Sequence, residues 1–225
     1  MQECKELVIL GAGGFGREVA FILSEINKQS NRYEILGFID NDPHLQGEMI
    51  NNYPVVGNDA WLFNYPAPIN VVICIGDPSA RKKAANKFSE KDNIIFPDII
   101  ANDVKDSGSV VMGKGCIICF SSILTVNISL GDFVLIMNNS VIGHDSFLDD
   151  FVTVYPSVTI SGNVSVGKHS EIGVGAKIIQ QISIGENTII GAGAVVVKDI
   201  PANCTAVGVP AKLIKVHSVS SASLN

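Results

Sequence analysis

Residues 134–166 read VLIMNNSVIGHDSFLDDFVTVYPSVTISGNVSV, and an aliphatic side chain returns there at every sixth position: Ile136, Ile142, Leu148, Val154, Ile160 and Val166. The series continues without a break through Met112, Ile118, Leu124 and Leu130 on one side and Ile172, Ile178, Ile184, Ile190 and Val196 on the other. Two residues ahead of each lies a mostly small or β-branched partner, such as Ser122, Ser140, Ser146, Val158 or Ala176. A period of six matches neither the 3.6 of a helix nor the 2 of a lone strand, and hexapeptide repetition is the mark of a parallel β-helix. Three hexads make one triangular coil, so each inward side chain stacks on its counterpart eighteen residues away. At the spacing of stacked strands, five coils make a prism about 24 Å tall. A Val/Ile-rich sandwich would break the period with strands and loops of uneven length. Glycine follows the aliphatic residue at 113, 131, 143, 167, 173, 185 and 191, where it is expected to supply backbone angles that other residues resist.

Ahead of the repeat, Leu7 to Leu10 is a short apolar run that ends in Gly11-Ala12-Gly13-Gly14-Phe15-Gly16. Val19, Ala20, Ile22, Leu23 and Ile26 then recur at helical spacing. This is strand, glycine turn and helix, with G-x-G-x-x-G across the turn. Such a loop turns backbone N–H groups and a helix N-terminus toward an anion with no Cβ in the way, and phosphate is the natural guest. Leu36 to Ile39 predicts a second strand, and Asp40 at its end stands close to where an acid in a dinucleotide fold grips a ribose hydroxyl. Val71 to Ile75 predicts a third strand, followed by Gly76-Asp77-Pro78 and a helix bearing Arg81, Lys82 and Lys83. Ile94 to Ala101, interrupted by Pro97, reads as the connector into the coils. Three strands are too few for the two mononucleotide halves that a nicotinamide cofactor needs. The loop therefore reads as a site for part of a dinucleotide, such as a nucleotide-sugar, against the plainer alternative of a turn that only packs helix on strand.

The expected organisation is an α/β domain over 1–104, the β-helix over 105–199 and an extension over 200–225. Sixteen basic and 22 acidic residues give a net charge of −6, which offers no field for a polyanion and argues against nucleic acid. Mean hydropathy is +0.33, yet no apolar run approaches the length of a membrane span. The N-terminus enters a strand after Lys5 and Glu6 instead of showing a signal-peptide pattern, so a cytoplasmic location is expected. Five cysteines, Cys4, Cys74, Cys116, Cys119 and Cys204, form no disulfide or zinc framework. Cys116 and Cys119 make a C-x-x-C, but Cys116 holds a small-partner position of the repeat and reads as a buried small hydrophobe.

Within the coils, His144 and Asp145 follow Ile142-Gly143 on a corner, where a side chain projects outward. Gly162 lies eighteen residues later on the same corner and opens space beside His144. His44 and His169 read as solvated. After the last coil Asp199-Ile200-Pro201 breaks the pattern, Gly208-Val209-Pro210-Ala211-Lys212 leads into a short amphipathic tail, and Ser218 to Asn225 reads as frayed.

Taken together, Gly11 to Gly16, Phe38-Ile39-Asp40-Asn41, Ile75-Gly76, Arg81-Lys82-Lys83, Ile142-Gly143-His144-Asp145, Ile160-Ser161-Gly162-Asn163-Val164 and Gly208 to Lys212 carry a resemblance. The chain resembles the hexapeptide-repeat acyltransferases, and within them the bacterial sugar acetyltransferases with an N-terminal Rossmann-like domain. That group includes enzymes acting on nucleotide-linked 4-amino sugars of the bacillosamine and perosamine type, and proteins of the sialic acid O-acetyltransferase kind. The resemblance implies a left-handed β-helix, a homotrimer with active sites between neighbouring subunits, acetyl-CoA as co-substrate and no metal.

By the same resemblance His144 would be the general base and Asp145 the acid that orients it, one methylene shorter than the glutamate often found there. Acetyl-CoA contacts would be Thr153, Gly162, Val174 and Ala192, with Thr153 standing where some relatives carry a second histidine. Nucleotide-sugar contacts would be Gly13, Gly14, Phe15, Asp40, Asn41, Gly76 and Arg81, with Asn138 near the acceptor sugar. The residue types suit that chemistry, because an amine must lose a proton as it is acylated and an imidazole of ordinary pKa, about 6.5, accepts one near neutral pH. The expected activity is N-acetylation of a UDP-, dTDP- or GDP-linked amino-dideoxy sugar for polysaccharide synthesis. O-acetylation of a sialic acid or another sugar hydroxyl is the alternative enzyme reading, and a non-catalytic nucleotide-binding scaffold is the alternative from another class.

Overall fold

The computed structural model describes residues 4–217, so the frayed tail read for Ser218 to Asn225 lies outside the described residues. The chain divides into two compact units. One comprises the residues up to Asn102 together with Lys114–Cys119, and the other Asp103–Gly113 with the residues from Phe120 onward.

The first unit is built on β1 (Lys5–Leu10), which pairs in parallel with β2 (Tyr33–Ile39) and, on its other side, with a strand at Ile69–Ile73. Helix α1 (Gly14–Ser30) joins the first two strands. It buries Val19, Ala20, Ile22, Leu23 and Ile26, the i, i+3, i+4, i+7 stripe that an amphipathic helix turns toward a sheet. The sheet is larger than the three expected strands. Tyr53–Gly57 pairs in parallel with β2, Met49–Ile50 lies antiparallel outside it, and Ile94–Ile95 adds a parallel strand beside Ile69–Ile73. Ile94 and Ile95 thus belong to the sheet, not to a connector. Two further helices, Asp59–Phe63 and Pro78–Phe88, start from the side-chain caps of Asn58 and Asp77, as short polar residues at such positions do.

In the second unit every repeat strand is two residues long, and its second residue points inward. Val141–Ile142 pairs with Ile123–Leu124 below and Thr159–Ile160 above, and the same eighteen-residue register holds on all three faces. Ile142, Val154, Ile160, Val166 and Ile172 are fully buried. Small-partner hydroxyls are buried too and satisfied by the next coil: Ser140 Oγ donates to Tyr155 O, Ser146 Oγ to Ser161 O and Ser170 Oγ to Gly185 O.

Positive φ recurs every sixth residue, three positions after the inward aliphatic, at Ser121, Asn127, Phe133, Asn139, Asp145, Phe151 and onward. The glycines at 113, 131, 143, 167, 173, 185 and 191 are not at these positions and none has positive φ. Their role is space. A Cβ on Gly143 would lie 2.5 Å from the carbonyl carbon of Ser161 in the next coil, a separation at which backbone must move. The chain leaves the coils through Cys204–Val207, which pairs in parallel with Ile189–Ile190 and antiparallel with Lys212–Val216. A hairpin therefore stands where a simple amphipathic tail was expected. No helix among the described residues is long and apolar enough to cross a membrane.

Candidate functional site

His144 occupies a corner between Val141–Ile142 and Phe147–Leu148. Its backbone is pinned from both neighbouring coils, since Asn163 N–H donates to His144 O at 2.8 Å and Asp145 N–H donates to Val126 O at 3.0 Å. His144 Nδ1 lies 2.8 Å from Asp145 Oδ2. Both side chains are open to solvent, at 55% and 45% exposure, so direction comes from hydrogen bonds more than from burial. The bond with His144, and then one from Asn127, hold the Asp145 carboxyl below the usual aspartate range. A carboxylate on Nδ1 keeps the proton on that nitrogen and leaves the lone pair on Nε2.

Gly162 completes the corner. A Cβ there would lie 2.4 Å from His144 Nε2 and 2.5 Å from Cε1, so the imidazole occupies the space that a side chain would fill. The N–H of Gly162 meets no acceptor among the described residues.

Other residues of the expected acetyl-CoA set fall elsewhere. Val174 and Ala192 share one corner with Asn138, which was expected near the acceptor sugar, and that corner is separated from the His144 corner by the face that carries Val141–Ile142. Val174 is exposed and so is Ala192. Asn138 is half-buried, and its Oδ1 is buried without a hydrogen bond. Thr153 is fully buried and presents no surface to a cofactor. His169, read as solvated, instead stacks on Phe151 with ring centroids 5.6 Å apart, extending a column that begins with Phe133.

In the first unit the glycine turn divides by function. Gly11 has a φ of +108°, and a Cβ on Gly16 would lie 1.9 Å from Gly11 O, so the turn itself requires these two. A Cβ on Gly13 would meet nothing within 4 Å, and one on Gly14 only Arg17 Nη2 at 3.9 Å. Gly13 caps α1 without a side-chain bond and the first turn carries no acid, so the opening N–H groups of the helix around Phe15 stay available to an anion.

Asp40 holds this loop: its Oδ2 accepts from Ala12 N–H at 2.9 Å and its Oδ1 from Asp42 N–H at 3.0 Å. Asn41 is held in turn by two hydrogen bonds with Asp59, which also pairs with Lys87. A Cβ on Gly76 would meet nothing within 4 Å, and the residue lies in the turn three positions beyond the neighbouring strand, which ends at Ile73 and not at Ile75 as expected. Arg81 is fully buried and donates from Nη1 to Ile75 O and Gly76 O, both at 2.8 Å. It therefore shapes the Gly76 turn and does not reach a ligand. A site at the carboxyl ends of parallel strands is the usual place for a nucleotide in such a sheet.

Sequence reading missed Asn127, Asp59 and Ala12. Only Asn127 carries a periodic signal, standing eighteen residues before Asp145. The C-x-x-C is core, because Cys116 and Cys119 are buried and joined in no disulfide among the described residues, and burial pushes the Cys119 thiol up to about 12. Among the described residues no three His, Cys, Asp or Glu side chains gather as a metal site would require.

Residues 6–88 match the family described as the PglD N-terminal domain. Comparison with curated protein sequences gave no match. Among solved structures the chain is similar to the acetyltransferase domain of PglB from Neisseria gonorrhoeae FA1090, with 31% identity over 93% of this chain and 100% of that one and a TM-score of 0.87. A second structure of that domain is in complex with acetyl coenzyme A. PerB from Caulobacter crescentus, in complex with CoA and GDP-perosamine, is 30% identical over 95% of this chain and 99% of that one, with a TM-score of 0.84. WeeI from Acinetobacter baumannii AYE is 31% identical over 93% and 100%, with a TM-score of 0.83.

Proposed function

Because the chain belongs to the left-handed β-helix sugar acetyltransferases that carry a PglD-type N-terminal domain, and is an acetyltransferase, we propose that it transfers acetyl from acetyl-CoA to the amino group of a nucleotide-linked amino-dideoxy sugar. The observation that carries this reading is the orientation of His144. Its Nδ1 is engaged by Asp145 while Nε2 lies uncommitted above Gly162, as a general base requires.

The thioester supplies the electrophilic carbonyl. As the C–N bond to the acceptor forms and the C–S bond breaks, Nε2 of His144 accepts the proton that the nitrogen loses. Asp145 stabilises the imidazolium so formed. The free N–H of Gly162 beside the ring is a suitable donor to the negative charge that develops on the carbonyl oxygen. Val174 and Ala192 remain candidates for the acetyl-CoA surface and Asn138 for the acceptor side.

The glycine loop supports nucleotide binding, with Gly13, Gly14 and Phe15 facing pyrophosphate and Asp40, Asn41 and Gly76 at the rim. Assembly as a homotrimer is part of the reading and is supported by apolar side chains left exposed along the coils, including Ile123, Val126, Val174 and Ile179. Light scattering that found a stable monomer at micromolar concentration would remove it. The function itself is tested by following CoA thiol release with UDP-, dTDP- and GDP-linked amino sugars. Release that depends on one of these acceptors is expected. Release with none of them, or equally with sugars lacking an amine, would overturn the reading.

A further inference from the structure

The network around His144 does not end at Asp145. Asn127 stands one coil earlier and its Nδ2 donates to Asp145 Oδ1 at 3.0 Å, while the other carboxylate oxygen meets His144 Nδ1. Asn127 is itself held, because its backbone N–H donates to Ser109 Oγ at 2.9 Å and that hydroxyl lies 2.6 Å from Ser107 Oγ. Asn127 and Asp145 have φ of 54° and 57°, a conformation that asparagine and aspartate accept more readily than most residues.

Bridging coils is a general use of asparagine at this turn. Asn139 Nδ2 donates to Ser157 Oγ at 3.3 Å and Asn187 Nδ2 to Asn203 Oδ1 at 3.1 Å. Of the three bridges, only the one from Asn127 ends on an acceptor that itself touches an imidazole. An exposed carboxylate bound through a single oxygen can rotate and offer either oxygen to water. A donor on Oδ1 fixes its plane and leaves Oδ2 for the ring, which is how an outer partner sets the tautomer and orientation of a histidine.

We propose that Asn127 is a positioning residue for acetyl transfer: it locks the Asp145 carboxylate so that His144 keeps its proton on Nδ1 and its lone pair on Nε2. This rests on His144 being the general base, so the test reads the ring as well as the rate. Asn127→Gly retains access to the backbone conformation and removes the amide. Asn127→Asp keeps the size and replaces the donor with a second carboxylate. Asn139→Gly removes a comparable bridge at a corner without a histidine. Readouts are kcat and KM for acetyl-CoA, and 15N NMR of protein labelled at its four histidines, with the His144 signals assigned by their loss in His144→Ala.

Asn127→Gly is expected to lower kcat about 10-fold, below the ~10²- to 10⁴-fold worth of a base itself. KM for acetyl-CoA should stay unchanged, and His144 should pass from the Nδ1–H form to a mixture of tautomers. Asn127→Asp should rescue neither readout, and Asn139→Gly should move neither. A parent kcat or a parent tautomer in Asn127→Gly overturns the proposal, as does an equal loss in Asn139→Gly. Undiminished turnover in His144→Ala would instead remove the general-base reading, and the tautomer in Asn127→Gly then decides alone whether Asn127 governs the ring.

Discussion

Gly14 and Gly162 are the same residue serving opposite needs. Around Gly14 the protein leaves open space that the fold does not use, whereas at Gly162 the space is filled by the ring of His144. A side chain at Gly14 therefore meets what binds, and a side chain at Gly162 meets what is already there. A glycine motif is thus informative about ligands only where nothing in the protein explains the missing Cβ. Gly11 and Gly16 are explained by the turn and Gly143 by the next coil. Gly13, Gly14 and Gly76 are not explained in that way.

The largest effect should come from removing the group that Gly162 accommodates. His144→Ala is expected to lower kcat by roughly 10²- to 10⁴-fold with the fold intact by circular dichroism. Near-parent turnover would make the corner a packing feature and nothing more. Next in size is Gly162→Ala, whose Cβ displaces the imidazole from its place over the corner. It should lower kcat by about 10- to 100-fold, the scale of a small misplacement of a catalytic group. On a His144→Ala background the same change should cost no further stability, since ring and methyl no longer compete. A second loss of Tm in the double variant would show that the glycine serves the backbone.

At the other glycine the expected effect is on binding. A nucleoside diphosphate at about 100 times its Kd should stabilise the protein by about 2.7 kcal/mol, or roughly 5–10 °C in Tm, while NAD and NADP do not. Gly14→Val should abolish that shift and leave KM for acetyl-CoA unaltered. Tight NAD binding by calorimetry, or a valine variant that still responds to the diphosphate, would show that the Gly14 loop is not a nucleoside diphosphate site. The smallest effect is expected at Thr153. Its burial predicts that Thr153→Val costs about 0.5–1.5 kcal/mol of stability with no change in KM for acetyl-CoA. A clear rise in KM would return Thr153 to the cofactor surface.

The repeat was legible because each inward residue from Met112 to Val196 marks a strand, and the pairing of Val141–Ile142 with Thr159–Ile160 follows from the period alone. Three strands of the sheet in the first unit were not. Tyr53–Gly57 contains Pro54, a residue that argues against a sheet interior, and Met49–Ile50 and Ile94–Ile95 are too short to show alternation. The glycines of the coils were misread because close approach and positive φ leave the same letter in a sequence. Positive φ went to Asn127, Asn139, Asp145 and even Phe133 and Phe151, where the repeat imposes it. At the histidine corner, His144, Asp145 and Gly162 could be placed together from the eighteen-residue spacing. The burial of Arg81 could not, since nothing local distinguishes a guanidinium that braces carbonyls from one that meets a phosphate. Asn127 required knowing that its amide bridges to a carboxylate and not to a hydroxyl, as at Asn139.

Whether an amine is acetylated at a site served by His144 is decided by identifying the acetylated atom. Acetyl-CoA labelled with 13C in the acetyl carbonyl is incubated with the nucleotide-linked amino sugar that supports turnover, and the product is read by NMR in the parent and in His144→Ala. The parent should give an amide carbonyl, formed roughly 10²- to 10⁴-fold more slowly by the variant. An ester at a sugar hydroxyl, or an amide formed equally fast without His144, would contradict the proposed function.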